Sequence, residues 1–125
     1  MYGSLQELCE LEEKSGKPFW KIVQEDDCRE QGITEEVSFE QMRAMYQAMK
    51  DADAGYDPTI HSASGMAGGA GEKLHVYNAK GANLCGGLVG QVMEKAIKMG
   101  ESNACMHRIV AAPTAGSCGV IPAGF

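Results

Sequence analysis

Apolar residues recur along the chain at helical spacing, and no strand alternation is strong anywhere. Ser4-Leu5-Gln6-Glu7 has the form of a capping box, with Glu7 able to reach back to the Ser4 amide. Leu5, Leu8 and Cys9 follow on one face, and Lys14-Ser15-Gly16 ends the run, which predicts a helix over 4–14. Lys17-Pro18 opens a second helix with the stripe Phe19, Ile22 and Val23, closed by Gly32. Ser38-Phe39-Glu40-Gln41 reads as another capping box. Behind it Phe39, Met42, Tyr46 and Met49 recur at helical spacing, with Met45, Ala48 and Ala52 beside them, to about Asp53; the stripe reads as core, with an adaptable binding surface as the alternative.

Residues 55–83 read as irregular. The stretch 62–71, SASGMAGGAG, has almost nothing that fills a core, and its glycines need a reason because each costs conformational entropy. It matches neither a P-loop nor a dinucleotide fingerprint. A helix is expected over 84–99, with Leu88, Val89, Val92, Met93, Ala96 and Ile97 on its apolar face. Glu94, Lys95 and Lys98 lie opposite, and Glu94 pairs with Lys98 at i,i+4. Gly86, Gly87 and Gly90 permit a close neighbour, and Gly100 either ends the helix or is carried inside it. Glu101 to Met106 reads as helix again, and Arg108–Ala112 is a short apolar stretch stopped by Pro113. The pattern is that of a mainly α domain with glycine-rich loops and no internal repeat.

The length of 125 residues fits one domain, spanning 1–125, and 44% hydrophobic with 22% charged residues is ordinary for a globular chain. No apolar run approaches the ~18 residues of a membrane span. The N-terminal MYGSLQELCELEEK lacks the basic start and apolar run of a secretory signal, so a cytoplasmic protein is expected. A net charge of −6 argues against non-specific binding to nucleic acid or anionic membranes. The charge is uneven. Residues 1–57 carry 14 acids and 6 bases, whereas 58–125 carry 3 acids and 5 bases together with 12 of the 16 glycines. The acidic half reads as solvated helices, and the glycine-rich half as the place for a small-molecule site. Five cysteines without a CxxC fit neither a disulfide framework nor a zinc finger. The histidines at 61, 75 and 107 show no metal-binding spacing.

The most informative stretch is 113–122, PTAGSCGVIP. Pro113 fixes its own φ and biases Ala112 toward extended geometry, while Gly116 and Gly119 allow a tight turn. Two hydroxyls (Thr114, Ser117) and a thiol (Cys118) sit in that turn, and consecutive amides there are able to converge on a carboxylate. The residues alone leave three readings open: a structural turn around a buried cysteine, an anion-binding turn, and a nucleophilic Cys118, for which no activating base is visible.

The run Glu101-Ser102-Asn103-Ala104-Cys105-Met106, followed by residues 108–123, RIVAAPTAGSCGVIPA, closely resembles the α chain of iron–sulfur-dependent L-serine dehydratases. Ser64-Gly65-Met66-Ala67-Gly68-Gly69 with Lys73 resembles the glycine-rich turn of that family, and Leu84-Cys85-Gly86 through Met99 the helix after it. The resemblance implies β-elimination of water from L-serine, followed by loss of ammonia to give pyruvate. It implies a [4Fe–4S] cluster acting as Lewis acid on the substrate hydroxyl, and no pyridoxal phosphate. It places the 113–119 turn beside the cluster. Thr114 and the amides around Ala115 and Gly116 would receive the substrate carboxylate there, with Pro113 and Ser117 completing the turn. Lys73 and the Ser64–Gly65 turn are further candidates for the same pocket, and His61 for a proton acceptor. Cys118 is the one cysteine in a matching motif and so the candidate cluster ligand.

The family's α chain is much longer, with cluster cysteines mostly in downstream motifs, whereas this sequence stops at Ala123-Gly124-Phe125. The resemblance therefore implies an N-terminal portion of an α-chain domain that needs further chain and a β domain or β chain. Alone it is expected to hold no stable cluster and to have little activity. Pairing with a second copy through the face carrying Leu88, Val92 and Ile97 is the expected rescue of its stability. The competing reading is a non-catalytic helical interaction module whose glycines merely pack helices. Activity of the iron-reconstituted complete polypeptide with serine separates the two.

Overall fold

A computed structural model describes residues 2–81 and 83–124. Ala82, inside the stretch expected to be irregular, and the terminal Met1 and Phe125 lie outside the described residues. Six α-helices and one 3₁₀ turn are present, with no strand among the described residues, so the mainly α expectation holds. No helix among them is long and apolar enough to cross a membrane.

The chain divides into two compact units, 1–44 and 45–125. The first unit holds α1 (Leu5–Ser15), α2 (Phe19–Gln31) and the start of α3 (Glu35–Ala54). Ser4 Oγ accepts the Glu7 amide at 3.2 Å, as the capping box requires, but Glu7 reaches back to the Gly3 amide at 2.8 Å rather than to Ser4. Gly16 and Gly32 end α1 and α2 with φ of 65° and 67°, a left-handed geometry that glycine adopts without penalty. Leu8, Ile22 and Cys28 make the small core between these helices. The start of α3 differs from the expected Ser38. Thr34 Oγ1 accepts the Val37 amide at 3.4 Å, so the helix begins at Glu35 and Ser38 lies inside it.

The second unit holds the rest of α3, then α4 (Ala70–Ala79), α5 (Gly86–Ala104), a 3₁₀ turn (Ala115–Ser117) and α6 (Val120–Ala123). Helix α5 is its axis, with α4 packed on one side and α6 on another. Lys95 pairs with Asp53 at 3.6 Å and ties α5 to the end of α3. Three expectations are corrected here. Residues 70–79 are helical rather than irregular, and the face of α5 turned to α4 is polar. Gly90, Glu94, Lys98 and Glu101 face α4, while Leu88 is 78% exposed. Of the expected Met stripe on α3, Met49 alone is buried, and Phe39, Met42 and Tyr46 are exposed. The expected Glu94–Lys98 pair is present at 2.7 Å.

Candidate functional site

The 113–119 turn begins at a cis Ala112–Pro113 peptide and leads through extended Thr114 into the 3₁₀ turn. Ser117 organises it. Its Oγ accepts the Thr114 amide at 3.2 Å, lies 3.0 Å from Thr114 Oγ1, and faces the carbonyls of Ala112 and Thr114 as donor. Three attachments fix the turn to α5. Asn103 Nδ2 donates to the Ala115 carbonyl at 3.1 Å. The buried Cys118 thiol faces the Met99 carbonyl at 3.8 Å. Gly119 lies against the main chain of Ala96. Pro113, Thr114, Ala115 and Gly116 remain exposed, and the amides of Ala115 and Gly116 have no acceptor among the described residues. Neither Gly116 nor Gly119 needs a positive φ.

The second glycine-rich turn is closed on itself. Ser62 Oγ accepts the Ala67 amide at 3.1 Å and lies 3.2 Å from Ser64 Oγ, and the Ser62 amide donates to the Ala67 carbonyl at 2.8 Å. Its exit is bound by a residue that sequence patterning does not single out as functional. The buried carboxylate of Glu101 accepts the Ala70 amide at 2.6 Å, the Gly71 amide at 3.1 Å and the Tyr56 phenol at 2.7 Å. Burial pushes the Glu101 carboxyl up, but the donors Tyr56, Gly71, Ala70 and Gly68 outweigh it and hold the group below the usual carboxylate range. Tyr56 is pushed up to about 12, by burial and by the Glu101 carboxylate. Gly71 is required by closeness, since a Cβ there would stand 2.7 Å from Lys98 Cγ and 3.0 Å from the Tyr56 hydroxyl. The signal in the sequence is the glycine run itself, whose cost in conformational entropy calls for a reason.

His61 is exposed and packs its ring edge where Gly68 has no Cβ. Its Nδ1 lies 3.2 Å from the Thr59 carbonyl, which only accepts, so Nδ1 is the donor in that contact. Lys73 is exposed in the first turns of α4. The last turns of α5 hold both glycine-rich turns, yet no hydrogen bond among the described residues joins Ser64, Gly65, His61 or Lys73 to the turn at 113–117.

A further polar group, of which the sequence pattern reveals the Glu94–Lys98 pair alone, lies along α4 and α5. Glu94 accepts from His75 Nδ1 at 2.7 Å, Asn78 Nδ2 at 3.0 Å and Lys98 Nζ at 2.7 Å, at the edge of a cavity of about 480 Å³. Burial raises the Glu94 carboxyl, but Lys98, Asn78 and His75 together bring it down to about 2.

The cluster implied by the resemblance finds no ligand set in these residues. The five cysteines are free and scattered, with Cys28 and Cys118 buried and Cys9 and Cys85 exposed. Among the described residues no group of three or more histidine, cysteine or carboxylate side chains is placed to hold a metal. The residues present do not fit a [4Fe–4S] centre, which needs a convergent thiolate set.

Compared with known proteins, residues 14–125 match the family model described as serine dehydratase alpha chain. A probable L-serine dehydratase alpha chain of Bacillus subtilis (strain 168) is 31% identical over 122 residues, which cover 98% of this chain and 41% of that protein. An L-serine dehydratase alpha chain of Peptoniphilus asaccharolyticus is 27% identical over 124 residues, covering 98% and 42% respectively. The chain thus spans about two-fifths of the length of these curated relatives. No solved structure matches it significantly.

Proposed function

The chain belongs to the serine dehydratase alpha-chain family, and we propose from that premise that it is the N-terminal portion of a cytoplasmic enzyme converting L-serine to pyruvate and ammonia. The complete enzyme adds further alpha chain and a β domain or β chain. Its iron–sulfur cluster takes a thiolate set completed by the rest of the enzyme, with Cys118 the one candidate ligand in this chain. This chain contributes binding and orientation of the substrate.

The observation that carries this reading is the turn at 113–119. Asn103, Met99 and Ala96 anchor it to one rigid helix, while Thr114, Ala115 and Gly116 stay exposed with two amides free to donate. That is the arrangement a serine carboxylate needs. The amides and the Thr114 hydroxyl bind its oxygens, with Pro113 and Ser117 fixing the main chain. Lys73 and the Ser64–Gly65 turn supply further polar groups from the neighbouring loop. His61, whose Nδ1 is engaged by the Thr59 carbonyl, is the candidate acceptor of the substrate α-proton through Nε2. The exposed Leu84, Leu88 and Val89 of the second unit support a surface that the rest of the enzyme covers.

The test is turnover by the complete enzyme, prepared anaerobically with its β partner. Pyruvate and ammonia are expected from L-serine in equal amounts. Their absence would overturn the reading in favour of a non-catalytic helical module.

A further inference from the structure

The glycine-rich turn at 62–71 has the converging amides of an anion site, and the chain's own anion fills it. Glu101 is 7% exposed, and the donors that the described residues set on its carboxylate are neutral: the amides of Ala70 and Gly71 and the Tyr56 phenol. Its negative charge is balanced by the N-terminus of α4, which has no side-chain cap of its own. Two residues further along α5, Asn103 holds the Ala115 carbonyl, and two residues back the Met99 carbonyl meets the Cys118 thiol. Residues 99–103 therefore grip both turns that bear the proposed substrate-binding groups. Glu101 holds one of them, and Met99 with Asn103 holds the other.

Resting on the serine dehydratase reading, we propose that Glu101 is a positioning residue: its carboxylate fixes the 62–71 turn, and with it Ser64, Gly65 and Lys73, at the spacing from Thr114 and Gly116 that the substrate requires. A local cap on α4 would stabilise that helix equally well but would not couple it to α5. Glutamine at this position keeps the size of the side chain but turns an NH₂ group toward donors, so at least one of the bonds is lost. The Tyr56 phenol is the one donor removable without touching the turn itself.

The experiment compares Glu101→Gln and Tyr56→Phe with the wild type in the complete enzyme, reading KM and kcat for L-serine and amide hydrogen exchange by segment. Glu101→Gln is expected to raise KM about tenfold, the loss of one hydrogen bond to a charged group. Exchange over 62–71 should quicken while exchange over α1 and α2 stays as in the wild type. Tyr56→Phe should move both readouts the same way by a smaller factor. A loss of folded protein alone would lower the apparent kcat and leave KM in place. A folded Glu101→Gln enzyme with KM and 62–71 exchange as in the wild type would overturn the proposal. If that variant does not fold, Tyr56→Phe with unchanged KM and exchange overturns it. A wild-type enzyme that forms no pyruvate from L-serine would instead remove the serine reading, and the exchange of 62–71 in the variants would still decide whether Glu101 fixes the turn.

Discussion

Gly119 lies so close to Ala96 that a Cβ at position 119 would stand 2.7 Å from the Ala96 carbonyl oxygen and 3.2 Å from its Cα. The φ of Gly119, −86°, is one that any residue adopts, so closeness and not conformation selects glycine here. Both obstructing atoms are main chain of α5 and have no rotamer to escape into. Gly119→Ala is expected to destabilise the fold by ~1–3 kcal/mol, the ordinary cost of overpacking. Urea denaturation should show a lower midpoint with an unchanged slope. A midpoint equal to the wild type would mean that the 113–119 turn is not pressed onto α5.

On the proposed reading, Thr114 serves binding and Ser117 serves support. Ser117 Oγ holds the turn through the Thr114 amide and the carbonyls around it, and Thr114 Oγ1 lies 3.0 Å from Ser117 Oγ and closes the other half of a capping box with the Ser117 amide. Ser117→Ala should therefore cost stability, by ~1 kcal/mol. In the complete enzyme Thr114→Val should cost no more stability than Ser117→Ala but lower kcat/KM for serine by ~1.5–3 kcal/mol, one charge-assisted hydrogen bond. Gly116 has open space around it, the nearest atom to a Cβ added there being Thr114 Oγ1 at 3.9 Å, so Gly116→Ala folds and reads substrate approach alone. Wild-type kinetics in both Thr114→Val and Gly116→Ala would make the turn a structural one.

What can be read in the sequence follows the range of the interactions involved. Gly16 and Gly32 are legible as helix ends because a left-handed C-terminus is settled within a few residues. Helix α4 is not legible, because the group that caps it, Glu101, lies about 30 positions downstream. The buried face of α5 departs from its apolar stripe for a related reason. Periodicity reports which residues are apolar, but His75 and Asn78 of α4 select Glu94 and Gly90 as the contact. Leu88 and Val92 keep their stripe and stay exposed. At the candidate site the motif at 113–119 is readable in the sequence. Its anchorage by Asn103 and the occupation of the other turn by Glu101 are long-range contacts that only the folded chain reveals.

Glu94 should give the second unit an acid-sensitive element. Its side chain is 12% exposed, and its carboxyl titrates at about 2, below its ordinary 4.5, with Lys98, Asn78 and His75 outweighing the upward push of burial. A carboxyl lowered on folding contributes stability that is fully present above its unfolded pKa and is lost as pH falls through the folded one. The loss therefore runs from about 4.5 down to about 2, and amounts to on the order of 3 kcal/mol over that window. Glu94→Gln should lower stability at neutral pH and flatten the acid limb of the stability profile. An acid limb identical to that of the wild type would show that Glu94 does not carry it.

The cysteines provide the last prediction. Cys118 is 2% exposed and turned toward the Met99 carbonyl, Cys28 is buried in the other unit, and Cys9 and Cys85 are exposed without a metal-binding neighbourhood among the described residues. A [4Fe–4S] cluster is retained by several thiolates converging on it, and one buried thiol hydrogen-bonded to the main chain of α5 cannot substitute for that set. Anaerobic reconstitution of the 125-residue chain with iron and sulfide is therefore expected to leave no cluster after desalting, and a native-state thiol titration should find Cys9 and Cys85 reacting fast. Cys118 and Cys28 should react only in denaturant. Retention of a full cluster by this chain, with Cys118 protected by the iron, would show that the thiol leaves Met99 and that the ligand set assembles from these residues after all.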